Sequence, residues 1–248
     1  MADRNPRYTI AAIALPLLFL AMSGLARAAT LTVTNTLDSG MGSLRAEILA
    51  ASTGDTINFS VSGTITLGST LPAIAINLTI DGSGQSVTVD GDSKFQIFTV
   101  NSGSMLSLQF LTLQNGSVTG GSGADGGAIL NNGQLTFTDC TFLDNRATGV
   151  VGSIIGGFGN GGAIFNEGTL TVNNSTFSDN HATGGAGSGI GSFGGGGQGG
   201  AIFNEGTVTV SNSTFSDNQA TGAANSSAGG SHGGGGVGGA ILNDGTVT

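Results

Sequence analysis

The sequence predicts an all-β protein whose short strands wind into a parallel β-helix with a short N-terminal capping helix. Two observations carry this prediction: one motif recurs at a nearly constant spacing, and each recurrence contains short β-prone runs separated by turn residues. The 47 glycines among 248 residues supply turns, and charged residues, at 8%, are too few for a charge-driven disordered chain. With a single cysteine, the chain cannot be a disulfide scaffold or a cysteine-ligated zinc domain.

The recurring motif is Gly-Gly-Ala-Ile, and steps of 35, 38 and 39 residues separate its four copies. A Phe-x-Asp-Asn unit follows each of the first three copies at a fixed distance. Constant internal spacing indicates residues held by contacts with neighbouring repeats, whereas connections of variable length lie on the surface. The copies begin at Gly126, Gly161, Gly199 and Gly238. The Gly-rich connections, which we expect to project from one edge, are 150–160, 185–198 and 223–237.

Each repeat is predicted to contain three strands and three turns. In the second repeat the strands are 163–165, 170–172 and 176–178, and turn-forming residues separate them. This pattern describes one turn of a parallel β-helix. A two-layer β-sandwich is the alternative, but it predicts hairpins between neighbouring strands and not near-identical segments at a fixed period.

Stacked repeats bring equivalent residues to within about 4.8 Å of one another. We therefore expect an isoleucine ladder and a phenylalanine ladder in the interior, and an asparagine ladder at a turn. The paired glycines are expected to permit a tight bend or a positive φ angle. The ladders are Ile129, Ile164, Ile202 and Ile241; Phe142, Phe177 and Phe215; and Asn131, Asn166, Asn204 and Asn243.

The first residues have the pattern of a secretory signal peptide. Arg4 and Arg7 precede an apolar run that ends in an Ala-x-Ala site, and cleavage is expected before Ala29. The run is too short for a membrane-spanning helix, and Pro16 interrupts it. Without the signal, 3 basic residues stand against 14 acidic ones, a formal charge of −11. That balance excludes nucleic acid as a partner and disfavours anionic membranes.

The chain is predicted to have a signal peptide at 1–28, an N-terminal cap at 29–60 and β-helix repeats at 61–248. Because the sequence stops inside a repeat without a closing cap, we expect the native protein to continue beyond it.

The capping segment contains a predicted helix. Leu44, Ile48 and Leu49 have helical spacing, Ser43 is a suitable N-cap, and Gly54 is the expected end. Such a helix would cover the open edge of the first repeat.

Two features resemble a known family. The stretch Val-Thr-Asn-Thr-Leu-Asp-Ser-Gly at 33–40, followed by Gly-Ser-Leu-Arg at 42–45, resembles the N-terminal segment of bacterial CSLREA-domain proteins. The Gly-Gly-Ala-Ile and Phe-x-x-Asn units are similar to those of chlamydial polymorphic outer membrane proteins and related right-handed parallel β-helix proteins. The match departs from the CSLREA heptad at Gly42, which replaces Cys, and at Ala46, which replaces Glu.

The resemblance implies a right-handed β-helix that is exported to the cell surface, the outer membrane or the medium. It implies an adhesin- or passenger-like binding or structural role without enzymatic activity. The implied partners are a surface glycan or a protein of a host or neighbouring cell, and outer-membrane association would need a region outside this sequence. Pectin-lyase-like enzymes use the same broad architecture, so a polysaccharide lyase or glycoside hydrolase is the alternative.

The best candidate chemical site is the carboxylate set Asp144, Asp179 and Asp217, which occupies one position in successive repeats. Close carboxylates repel one another, and they either gain protons or attract a cation such as Ca²⁺. The other interpretation, which we favour, is that these residues cap turns beside the asparagine ladder. We therefore predict no catalytic or cofactor-binding residue and leave Ca²⁺ as the one candidate ion.

A lyase would also need a base. The repeat position of Arg146 carries His181 and then Gln219, and we expect His181 to be a solvent-facing turn residue. Cys140 stands where other repeats have Ser175, which predicts a small residue in a strand or turn and no nucleophile. A second acidic position is expected to be a solvated turn, and its members are Glu167, Glu205 and Asp244.

Overall fold

The computed structural model describes residues 28–121, 123–224 and 233–247, and nearly all of their regular structure is β-strand. The one helix in this part of the chain is α1 (Leu44–Ala50). The strands, numbered in chain order, form five sheets in which every neighbouring pair is parallel. The predicted signal peptide lies outside the described residues except for its last residue.

Sheet I contains β1 (Thr30–Val33), β2 (Thr56–Phe59), β4 (Leu78–Asp81), β7 (Met105–Gln109), β12 (Gln134–Thr138), β17 (Thr169–Asn173), β22 (Thr207–Ser211) and β27 (Thr246–Val247). Sheet II contains β3 (Gly63–Thr66), β5 (Val87–Asp90), β8 (Leu111–Gln114), β13 (Thr141–Leu143), β18 (Thr176–Ser178) and β23 (Thr214–Ser216). Sheet III contains β6 (Phe98–Val100), β11 (Ile129–Asn131), β16 (Ile164–Asn166), β21 (Ile202–Asn204) and β26 (Ile241–Asn243).

Sheet IV contains β9 (Ser117–Gly120), β14 (Arg146–Gly149), β19 (His181–Thr183) and β24 (Gln219–Thr221). Sheet V contains β10 (Gly123–Asp125), β15 (Phe158–Asn160), β20 (Gly197–Gln198) and β25 (Gly236–Val237).

Each complete repeat contributes one strand to every sheet, in the order V, III, I, II and IV. The neighbour of each strand comes from the next repeat, so that equivalent residues pair in register. The prediction of three strands per repeat was therefore wrong, because there are five. The additional strands of sheet V are rich in glycine, and those of sheet IV repeat Ala-Thr without the large apolar side chains that marked the other strands.

The predicted apolar ladders are present. Ile129, Ile164 and Ile202 pair in register and are fully buried, and the partly buried Ile241 continues the column. Adjacent members of the phenylalanine ladder have ring centroids 4.6 Å and 4.8 Å apart, with nearly parallel rings. Stacked aromatic pairs contribute about 0.5–1.5 kcal/mol each beyond the burial of their surface.

Buried asparagines form two ladders beside this core. In the predicted ladder, Nδ2 of each of the first three residues donates a hydrogen bond to Oδ1 of the next residue. The distance from Asn204 Nδ2 to Asn243 Oδ1 is 2.6 Å. A second ladder, which the sequence analysis did not identify, joins Asn145, Asn180 and Asn218 through distances of 2.9 Å and 2.8 Å. These amides also donate hydrogen bonds to backbone carbonyls of strands and turns, which satisfies polar groups inside the stack.

The first glycine of each Gly-Gly-Ala-Ile motif has φ between 60° and 68°, as expected for a bend that disfavours L side chains. The second glycine is needed for space: a Cβ at Gly162 would collide with the backbone of Gly200 and His181. The pair therefore combines a conformational requirement with a packing requirement.

Helix α1 confirms the predicted start. The Ser43 side chain accepts a hydrogen bond from the Ala46 amide at 3.2 Å, and Leu44 and Ile48 join the buried core. Two details differ from prediction. Leu49 is 71% exposed because it lies on the opposite side of the helix from the core, and the helix ends at its C-cap Ala51, before Gly54.

Candidate functional site

The three candidate carboxylates close equivalent bends at the ends of β13, β18 and β23. Asp144, Asp179 and Asp217 have φ angles of 54°, 55° and 53°, in the left-handed region that Asp and Asn tolerate best among residues with a Cβ. The Asp144 amide donates to the Ser178 carbonyl at 3.2 Å, and the Asp179 amide donates to the Ser216 carbonyl at 3.2 Å. Each aspartate thus has a backbone role at its bend.

The same bend occurs one repeat earlier with a neutral side chain. Asn115 has φ 50°, and its amide donates to the Leu143 carbonyl at 3.1 Å. A second left-handed bend, between sheets I and II, carries Asp139, Asn174 and Asn212. Because both asparagine and aspartate occur at these bends, the backbone conformation and not the charge is the shared requirement.

A column that contains two basic residues, called the basic column, lies two residues beyond the aspartates. Arg146, His181 and Gln219 pair in register in sheet IV, and the buried asparagine ladder separates them from the carboxylates along the chain. His181 is half-buried in β19, so its predicted place in a solvent-facing turn was wrong. Burial lowers the pKa of His181, the Arg146 charge lowers it further, and Asp144 and Asp179 act in the opposite direction.

The acidic and basic columns are close enough to influence each other without forming salt bridges. Within the described ranges, the ion pairs are Arg45 with Asp38 and Lys94 with Asp92, each at 2.6 Å. The same residues contain no group of three or more His, Cys, Asp or Glu side chains arranged to hold a metal ion. Asp179 instead accepts a hydrogen bond from the Ser178 hydroxyl at 3.0 Å.

The second acidic column confirms the predicted exposed turn. The amides of Glu167, Glu205 and Asp244 donate to carbonyls of the preceding repeat at 2.8–2.9 Å, and all three residues are exposed. Partial burial raises the pKa of Glu205, and repulsion from Glu167, Asp125 and Asp244 raises it further. Like charges therefore accumulate along the stack.

Cys140 lies in the turn between β12 and β13 and is buried. It is 1% exposed, and its amide donates to the Ser175 hydroxyl at 3.2 Å. Burial raises the pKa of the thiol to about 11, so the thiolate that nucleophilic chemistry requires is scarce near neutral pH.

The Gly-rich connections build a feature that we call the glycine-rich arm, which comprises residues 149–160 and 184–198. Its strands β15 and β20 pair with each other, and isolated bridges join Gly152 to Gly187 and Ile155 to Phe193. Sheet V packs against sheet IV so closely that a Cβ at Gly159 would collide with backbone atoms of Ala147 and Thr183. The connections are therefore stacked on one another and are not independent loops.

The outer end of the arm is apolar and uncharged. No Asp, Glu, Lys, Arg or His occurs in residues 147–166 or 182–204. The side chains of Ile154, Ile155 and Ile190 are 69%, 57% and 95% exposed. Phe193 is 47% exposed and Phe158 is 38% exposed, so these apolar residues do not all pack back onto the repeats.

A scan against models of protein families finds no match for this chain, and a search of curated proteins finds none either. Within the part of the chain that the structure describes, no helix is long and apolar enough to span a membrane.

Proposed function

We propose that this chain is a right-handed parallel β-helix, exported to the cell surface or the medium, which binds a partner without catalysing a reaction. The in-register parallel sheets support the β-helix, and the strong preference of parallel strand crossovers for the right hand supports its handedness. The signal-peptide pattern at 1–28 supports export.

The observation that carries the binding role is the glycine-rich arm. Its tip combines exposed Ile154, Ile155 and Ile190 with a complete absence of charge, on a chain whose net charge is otherwise strongly negative. Contiguous exposed apolar surface marks interaction sites on soluble proteins. A partner protein on a host or neighbouring cell, with an apolar surface of its own, fits this tip better than a charged surface glycan does.

Binding to intact cells tests the role of the tip. The double variant Ile154→Ser and Ile190→Ser removes apolar contact surface and is expected to lose most cell binding of the purified mature chain. Leu37→Ser is the matched control, because Leu37 is 66% exposed but lies in the N-terminal region. Equal binding by the double variant, the control and the unmodified chain would contradict the assignment.

Peptide mass mapping of the native protein from periplasmic, outer-membrane and medium fractions tests export. The proposal expects a mature N-terminus at Ala29 in an exported fraction. An intact residue 1–28 segment on protein confined to the cytoplasm would contradict it.

A second candidate is a polysaccharide lyase or hydrolase, favoured by one observation. Asp144 and Asp179 lie close enough to His181 to oppose the lowering of its pKa, and His181 pairs in register with Arg146. A lyase needs such a basic residue in its site to abstract the proton beside the substrate carboxylate. Incubation with polyuronates in Ca²⁺ is expected to release no unsaturated sugar. If the unmodified protein releases unsaturated sugar and Arg146→Ala does not, the protein is an enzyme and the proposed binding role is wrong.

A further inference from the structure

Sheet I carries an unbroken column of hydroxyl side chains on its outer face. Apart from the outward Met105, the large apolar residues of these strands point into the core, and the residues between them are exposed or half-exposed. In-register pairing aligns one of these outward residues from each of seven strands. The column runs from Thr30 to Thr209 and consists of six threonines and Ser107.

In the later repeats the column widens into a two-dimensional array. Residues two positions apart on one strand face the same side, so Thr169, Thr171 and Asn173 lie in one row. The next row is Thr207, Thr209 and Ser211, in register with the first. Rows are spaced by about 4.8 Å, and side chains within a row by about 6.7 Å.

This face carries almost no charge. Among the outward residues of the seven strands, Asp81 alone is charged, and none is aromatic. The nearby carboxylates, such as Glu167 and Asp139, lie in the turns that border the sheet. Water at this face contacts regularly spaced hydroxyl and methyl groups. Few charged side chains are present to orient the water molecules differently.

We propose that the outer face of sheet I binds ice. The spacing between rows is close to a repeat distance between oxygen atoms in hexagonal ice, so threonine hydroxyls of successive strands can take lattice-like positions while their methyl groups fill the gaps between waters. The parallel stack holds the hydroxyls in register because each strand is bonded to the next along its length. This activity is separate from the partner binding proposed for the arm.

A crystalline polysaccharide is the competing occupant of the face. Sugar rings stack on aromatic side chains, and the outward positions of sheet I contain none. Sugar hydroxyls are also commonly held by carboxylates, of which this face has only Asp81. The methyl and hydroxyl groups of threonine favour ordered water.

The test measures ice binding by the mature full chain, residues 29–248, as thermal hysteresis and as incorporation of labelled protein into growing ice. The unmodified chain is expected to produce faceted crystals and a concentration-dependent hysteresis gap. Thr171→Tyr places a bulky ring at the centre of the array and is expected to abolish both effects. Thr136→Tyr, one row away, repeats the test in case the first variant does not fold.

Thr176→Tyr is the matched control. Thr176 belongs to the same repeat and is equally half-buried, and it stands in a similar column of sheet II. That column consists of Thr64, Thr88, Thr112, Thr141, Thr176 and Thr214. The strands of sheet II in these repeats have three residues against five in sheet I, so its rows are narrower and the control tests whether the wider array is required. The control is expected to retain ice binding, and circular dichroism establishes that each variant is folded. Exclusion of the unmodified chain from ice would overturn the proposal, as would equal loss in Thr176→Tyr. Binding to insoluble cellulose or chitin that Thr171→Tyr abolishes, without any effect on ice, would assign the face to polysaccharide.

Discussion

At the scale of single residues, the left-handed bends between sheets I and II show which side chains the fold tolerates. Asp139, Asn174 and Asn212 occupy this bend in three repeats, with φ angles of 55°, 48° and 49°. In the repeat before them the same position carries Phe110, with φ 54° and a side chain that is 44% exposed. A bulky residue in this region is strained, and this one recovers little through burial.

Phe110→Asn is therefore expected to stabilise the protein. Relief of an unfavourable left-handed conformation is worth about 1 kcal/mol. Urea unfolding measures the change, with Met105→Asn as the control, because Met105 is 42% exposed in a regular strand. A lower free energy of unfolding for Phe110→Asn would mean that the ring contributes more by packing than the bend costs.

His181 gives the stability a pH dependence. Its folded pKa lies below the ordinary value near 6.5, mainly because of burial. The unfolded chain therefore binds more protons as the pH falls below about 6.5, and folding stability decreases through that window until the folded histidine also protonates. Since His181 is only half-buried, the effect is expected to be small.

His181→Gln, which reproduces the residue of the next repeat at Gln219, is expected to flatten this pH dependence. Thermal unfolding midpoints measured between pH 7.5 and pH 5 provide the check. An unchanged slope in the variant would assign the dependence to other groups.

At the scale of elements, the glycine-rich arm depends on backbone contact between sheets IV and V. Gly159→Ala is expected to separate the sheets locally, because backbone atoms of Ala147 and Thr183 occupy the space and cannot rotate away. Overpacking of this kind costs about 1–3 kcal/mol. We expect this variant to show faster amide hydrogen exchange in residues 149–160 and 184–198 and unchanged exchange in sheets I, II and III.

Gly235→Ala is the control for the arm, because a Cβ there meets no atom within 4 Å. Equal exchange rates in both variants would show that close contact between the sheets does not hold the arm.

The sequence identified the strands that repeat a large apolar side chain. It missed sheet IV, where only Ala-Thr recurs, and sheet V, which is mostly glycine. Ile164, Phe177 and Asn166 were placed correctly because an identical side chain recurs at a fixed offset and reports the stacking. Strands β15 and β20 pair at Gly159 and Gly197, which have no side chain whose recurrence could mark a strand. For the candidate site, the alignment of Asp144 with Asp179 was predictable from spacing, whereas the burial that shifts the pKa of His181 depends on packing.

At the scale of the whole molecule, stacking identical repeats also stacks identical charges. The carboxylates of Glu167, Glu205 and Asp244 follow one another along the stack, and the raised pKa of Glu205 reflects this repulsion as well as burial. Added NaCl screens such repulsion between exposed groups and is expected to raise the unfolding temperature. Glu205→Gln is expected to reduce this sensitivity to salt.

CaCl₂ at equal ionic strength distinguishes screening from specific binding. If Asp144, Asp179 and Asp217 only close bends, CaCl₂ is expected to stabilise the protein no more than NaCl does. A larger effect of CaCl₂ that Asp179→Asn removes would establish a cation site in that column.

The buried thiol of Cys140 can report how often the folded protein opens around it. It is the only sulfhydryl in the sequence, so an oxidising environment offers the folded molecule no disulfide within itself and no accessible sulfur for crosslinking to a second copy. A thiol reagent can reach it only when the repeats on either side have parted. The labelling rate therefore reports how often the middle of the stack opens, in any compartment to which the protein travels.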